Sequence, residues 1–161
     1  MRDKKVSKVY SIESARPRLE KYCAYQERSH KQVYEKCRTL GLNEEDANLL
    51  LVELIRTNFL NEERFVDAYV KGKFKIKSWG KQKIVQGLKL AGVSQKLIQE
   101  KLKSIETESY LETIQKLAEK KYKSVKGNSD YEKEIKVKRY LLTKGFLLED
   151  IQKALKSDDY L

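Results

Sequence analysis

The stretches VYEKCRTLGL (residues 33–42), IVQGLKLAGV (84–93) and VKRYLLTKGF (137–146) are one pattern written three times. In each, an apolar residue (Val33, Ile84 or Val137) is followed four positions later by Cys37, Leu88 or Leu141. That spacing places both on one face of a helix. Next comes a glycine, Gly41, Gly92 or Gly145, and then an apolar residue, Leu42, Val93 or Phe146. A glycine there reads as the left-handed residue that ends a helix, with the following apolar side chain packing back on the last turn. The glycines lie 51 and 53 residues apart, a period that marks stacked repeats.

Working outward, the same register aligns Ala47 with Ile98 and Ile151, and Leu51 with Leu102 and Leu155, as the inward positions of a further helix in each copy. The first of these is the clearest: Ala47, Leu50, Leu51, Leu54 and Ile55 fall at helical spacing behind Asn43, a good N-cap, and the acids Glu44, Glu45 and Asp46, which suit the positive helix end. A preceding helix is expected over Leu19 to Glu27, Glu62 to about Lys75 (with Phe65, Ala68 and Tyr69 on one face) and Tyr110 to about Tyr122 (with Tyr110, Ile114, Leu117 and Ala118). Lys126–Ser129, polar and containing glycine, is the best linker. The expected fold is therefore all-α: three tandem three-helix repeats over residues 14–60, 61–105 and 106–157, between a flexible segment 1–13 and a frayed tail 158–161. A unit of about 50 residues buries little core alone, so stacking into an elongated, curved body is expected.

Composition agrees. Seven glycines and one proline, Pro17, in 161 residues leave few helix breakers. The most apolar run, Leu49 to Ile55, is interrupted by Glu53 and is far shorter than the roughly 20 residues of a membrane-spanning helix. No apolar run follows the basic residues Arg2, Lys4, Lys5 and Lys8, so a cytoplasmic chain making no membrane contact is expected. Cys23 and Cys37 are expected to be reduced core residues.

Catalytic signals are missing where they would be legible. His30 and two cysteines, without HExxH or CxxC spacing, give no zinc site, and no nucleophile motif accompanies His30, which reads as a surface residue at a helix start. Gly72 and Gly80-Lys81 do not have phosphate-loop spacing, and Gln82 stands where Ser or Thr is needed. Neither an enzyme nor a cofactor is expected.

The net charge of +11 points to a polyanionic or acidic partner. It is concentrated: residues 62–105 carry 11 basic and 4 acidic side chains, against 12 and 9 in 1–61 and 12 and 11 in 106–161. No acid lies between Asp67 and Glu100, a stretch that holds Lys71, Lys73, Lys75, Lys77, Lys81, Lys83, Lys89 and Lys96, interleaved with Tyr69, Phe74, Ile76 and Trp79. Lysines two apart on a helix project about 200° apart, so Lys71 and Lys75 cannot share a face with Lys73 and Lys77. Arg64, Lys71, Lys73, Lys75, Lys77, Lys81, Lys83 and Lys89 are the candidate binding residues, while Trp79, beside Gly80, reads better as corner packing. Binding of nucleic acid without sequence specificity is one function these residues could serve.

The stretch NFLNEERFVDAYVKGKFKIKSWGKQKIVQGLKLAGV, from Asn58 to Val93, resembles the central signature of the RecX family, with Arg64, Phe65, Tyr69, Val70, Gly80, Ile84, Leu88 and Gly92 in the signature positions. The likeness extends over about residues 14–157. Val66 stands where the family has a small alanine, and Lys73 where arginine is common; lysine keeps the charge without the bidentate fork. The resemblance implies a regulator, not an enzyme, that binds the groove of the RecA–DNA filament and bridges neighbouring protomers, meeting DNA directly or through the filament; a monomer is expected. It also implies inhibition of strand exchange, ATP hydrolysis and repressor cleavage.

Overall fold

In the computed structural model, which describes residues 9–156, each of the three quoted stretches forms a helix that ends at its glycine. Gly41, Gly92 and Gly145 have φ of 86°, 80° and 91°, the left-handed region that a side chain makes costly. Two of the ends show the hydrogen bonds expected of such a cap: Gly41 N–H donates to Arg38 O (3.0 Å) and Leu42 N–H to Cys37 O (3.3 Å), while Gly145 and Phe146 donate to Leu142 O (2.9 Å) and Leu141 O (3.2 Å). Leu42 and Phe146 are buried, as the pattern requires.

The described residues form nine α-helices and no strand: α1 (Ile12–Tyr25), α2 (His30–Thr39), α3 (Glu44–Arg56), α4 (Glu62–Lys75), α5 (Lys81–Leu90), α6 (Gln95–Leu102), α7 (Thr107–Ser124), α8 (Asp130–Thr143) and α9 (Leu148–Lys156). They read as three successive triplets. Side-chain caps set several boundaries. Ser11 accepts from Ser14 N–H, Asn43 from Asp46 N–H and Ser129 from Glu132 N–H. Ser29 and Gln32 form a reciprocal capping box at α2, and Asn61 accepts from Arg64 N–H (3.0 Å) in the first turn of α4.

Several expectations shift. The Ser11 cap starts α1 at Ile12, inside the segment expected to be flexible, and Pro17 is carried within the helix. Residues 1–8 of that segment, and the tail expected to fray at 158–161, lie outside the described residues. α7 runs longer at both ends than its apolar periodicity indicated. Val66, Val70 and Phe74 accompany Phe65 in the interior of α4, whereas Ala68 is exposed. Ile55 is 40% exposed, and Leu51 and Leu155 are only half-buried; the interior takes Leu50, Leu54 and Ala154 instead. Ala47, Ile98 and Ile151 are fully buried.

By contact the described residues form two compact units, one built from residues 9–68 together with Leu90–Ser94, the other from Tyr69–Lys89 and residues 95–156. The first has a core of Ala15, Leu19, Cys23, Val33, Cys37, Leu42, Ala47, Leu50, Leu54 and Leu60. Burial raises both thiols, Cys23 and Cys37, to a pKa of about 11, so they stay protonated and unreactive at neutral pH. The second unit packs Tyr110 between Phe74 and Phe146, with ring centroids 5.8 Å and 5.3 Å away.

Each unit also contains seats in which a chain segment lies directly on a left-handed glycine. In the first unit a Cβ on Gly41 would meet the Val9 Cα at 3.1 Å, Tyr10 N–H donates to Leu40 O (3.1 Å), and the Lys31 stem lies on Gly92 with its Nζ donating to Leu90 O (3.1 Å). The second unit holds the tightest seat. The start of α5 abuts the end of α8: Gly80 N–H donates to Lys144 O (2.8 Å), Gln82 N–H to Gly145 O (3.1 Å), and Lys81 N–H to the Tyr110 hydroxyl (3.0 Å). Amides that a helix start leaves without partners thus meet carbonyls that a helix end leaves without partners.

Two glycines separate this role from ordinary helix chemistry. A Cβ on Gly80 would lie 2.2 Å from the Gly145 carbonyl carbon and oxygen, so Gly80→Ala should destabilise the protein by roughly 3 kcal/mol. Gly72, inside α4, has nothing within 4 Å of a Cβ, so Gly72→Ala should stabilise it by about 1 kcal/mol. Urea denaturation measures both; equal effects of the two substitutions would contradict the seat.

Candidate partner-binding surface

The eight candidate cations differ in their surroundings: some share a corner after α4, and others are held by internal partners. α4 closes with Ser78 in a left-handed conformation (φ 51°), and the amides of Ser78 and Trp79 donate to Phe74 O and Lys73 O, both at 3.0 Å. This corner aims the Trp79 ring back along α4. The ring is half-buried rather than packed in the core, and the Nζ atoms of Lys73 and Lys83 each lie 4.7 Å from its centroid. Lys73 also lies 5.1 Å from the Tyr69 ring. Ammonium groups over a ring face are held by its quadrupole while staying partly hydrated.

Lys83 does two things at once. Its stem packs on Gly145, where a Cβ would come within 2.3 Å of the Lys83 Cβ, and its Nζ reaches Thr143 O at 3.4 Å. From the other side of the seat, Lys144 extends its Nζ to Lys77 O (2.8 Å). Burial, then the nearby charges of Lys83 and Lys77, push the Lys144 pKa below its ordinary value. Lys73, Lys77, Lys83 and Lys144 therefore gather around the Ile76–Gly80 corner. None of the four makes an ion pair among the described residues.

The remaining candidates share none of these contacts. Arg64 spends its guanidinium internally: Nε pairs with Glu27 (2.9 Å), while its two terminal nitrogens donate to Asn58 Oδ1 (2.6 Å) and Asn58 O (3.0 Å). Lys81 places its Nζ 4.7 Å from the Tyr110 ring, over the same side chain that its amide reaches. Burial drives the Tyr110 hydroxyl up to about 12, so it remains a neutral partner. Lys71, Lys75 and Lys89 are exposed and make no ion pair or ring contact among the described residues. His30, the first residue of α2, is half-buried; its amide donates to Glu62 Oε1 (3.1 Å) and its ring nitrogen lies 3.8 Å from Glu62 Oε2.

Lys144 is the functional candidate that the sequence reading missed. The aligned copies have Leu40 and Ala91 at its position, so only the third places a charge beside its glycine. Among the described residues no group of acids, histidines and cysteines is arranged to hold a metal ion, and no helix is long and apolar enough to cross a membrane.

Fold and surface together define a tandem three-helix-repeat protein that carries a cluster of lysines at one corner. Residues 61–102 match the family model described as "RecX, second three-helix domain" and residues 108–155 the one described as "RecX, third three-helix domain". The chain belongs to the RecX family. It is 31% identical over 130 residues to the regulatory protein RecX of Clostridium tetani, covering 80% of this chain and 59% of that protein. To the regulatory protein RecX of Clostridium perfringens it is 31% identical over 139 residues, covering 83% and 65%. The chain thus spans about three fifths of the length of these curated relatives. Among solved structures, RecX from Lactobacillus salivarius superimposes with a TM-score of 0.84 at 25% identity, covering 93% of this chain and 97% of that one. A second RecX crystal structure, at 24% identity and a TM-score of 0.83, supports the fold.

The Arg64 fork has a consequence for stability. Arg64→Lys keeps the charge but cannot reach Glu27 and both Asn58 oxygens together, and should lower unfolding stability by roughly 1–2 kcal/mol. An unchanged urea midpoint would show that the fork does not hold α4 in place.

Proposed function

We propose that this chain is a regulator of the RecA recombinase that works by lying in the groove of the RecA–DNA filament and bridging neighbouring RecA protomers. In this reading it acts as a cytoplasmic monomer, by occupancy and not by catalysis, and it restrains strand exchange, ATP hydrolysis and repressor cleavage. The observation that carries the reading is the RecX-type succession of three-helix domains, matched over most of the chain by the Lactobacillus salivarius structure. The relatives' own description as regulatory proteins agrees with it. The lysine cluster adds a physical motive, since a body that enters a groove beside DNA benefits from uncompensated positive charge.

Purified protein should slow the single-stranded-DNA-dependent ATPase of RecA at amounts well below one per RecA protomer. An ATPase rate unaffected by saturating protein would overturn the proposal.

A further inference from the structure

Lys73, Lys77, Lys83 and Lys144, from two distant parts of the chain, gather at one corner, and among the described residues none of them makes an ion pair. Lys73 and Lys83 approach the Trp79 ring, and Lys144 reaches across the glycine seat to the Lys77 carbonyl. Burial first, and then the charges of Lys83 and Lys77, disfavour the charge on Lys144. Lys83 and Lys144 each use one N–H on a backbone carbonyl, which leaves two donors apiece for a ligand. Like charges gathered at one corner, with donors to spare, are suited to a multivalent anion.

The chemistry of the cations narrows the class of anion. Every basic residue between Arg64 and Arg139, apart from those two, is lysine. Protein–protein interfaces are enriched in arginine and depleted of lysine, whereas lysine serves a phosphate as a point charge that makes no demand on base identity.

We infer that Lys73, Lys77, Lys83 and Lys144 form a seat for the phosphodiester backbone of nucleic acid, completed only because α5 docks on the end of α8. Lys81, Lys71, Lys75 and Lys89 are not part of it. The seat goes beyond filament regulation: it assigns this face to phosphate rather than to recombinase, and it operates on bare nucleic acid.

The test is fluorescence anisotropy of a labelled oligothymidylate with the full chain over a potassium chloride series, without recombinase. Lys77→Gln combined with Lys144→Gln should weaken binding roughly tenfold at low salt and make the log–log salt slope shallower by about 1.4. Lys21→Gln combined with Lys103→Gln, two exposed positions, removes the same charge and should change affinity less than about twofold. Because Lys144 also makes a backbone hydrogen bond, Lys73→Gln with Lys77→Gln serves as a second variant that leaves that bond in place, and the same loss is expected.

Equal weakening by the control pair would mean a diffuse field and no seat. Failure of the unaltered protein to bind at low salt would also overturn it, as would unchanged DNA binding in a variant that has lost affinity for DNA-free recombinase, which would reassign the cluster to an acidic protein surface. Inhibition of the recombinase ATPase by a protein that ignores oligothymidylate would sink the seat alone and leave the regulatory reading intact.

Discussion

Two backbone segments, Gly80–Gln82 and Lys144–Phe146, approach more closely than any side chain at Gly80 would allow, and the second unit is organised around that contact. A helix start carries amides with no partner and a partial positive charge; a helix end carries the complementary carbonyls and charge. Placing one against the other satisfies both without recourse to water. Glycine is needed twice for separate reasons: Gly145 to turn left-handed and end α8, and Gly80 to leave room for the carbonyl it meets. The first unit uses milder forms of the same device, with Val9 on Gly41 and Lys31 on Gly92. In a repeat protein whose single triplets bury little core, a recurring joint of this kind provides what a large core would otherwise supply.

The charge distribution follows from the joint. Lys83 and Lys144, one from each side of the joint, are carried into the company of Lys73, in the last turn of α4, and Lys77, in the corner that follows it. Joint and charge placement are therefore coupled at one corner: substitutions that loosen the joint should also disperse the lysines.

The repeat was legible because its marks are local. Helical spacing, a helix-ending glycine and a following apolar residue lie within ten positions, and they gave the bounds of α4 and the polar link before α8. Faces were harder to assign. Leu50 and Leu51 are adjacent leucines in an apolar run, and only packing from the neighbouring helices decides that the first is buried and the second lies at the edge. The start of α1 was hidden by Pro17, which the helix tolerates, and by a serine cap that does not differ in composition from a loop. The site was half legible. An acid-free run of lysines is visible in any reading of composition, but which of them cluster depends on a corner at Ser78 and on Lys144, whose contact with Lys77 spans 67 residues. Arg64 and Lys81 look identical to binding cations until their internal partners are known.

Amide hydrogen exchange followed by NMR on the unaltered protein tests the joint most directly. In an isolated helix the first-turn amides Gly80, Lys81 and Gln82 would exchange freely. If α5 is docked on the end of α8, these three should be protected to the same degree as amides in the interior of α5. Exchange of all three at the rate of unstructured chain would contradict the joint, and with it the lysine cluster that depends on it.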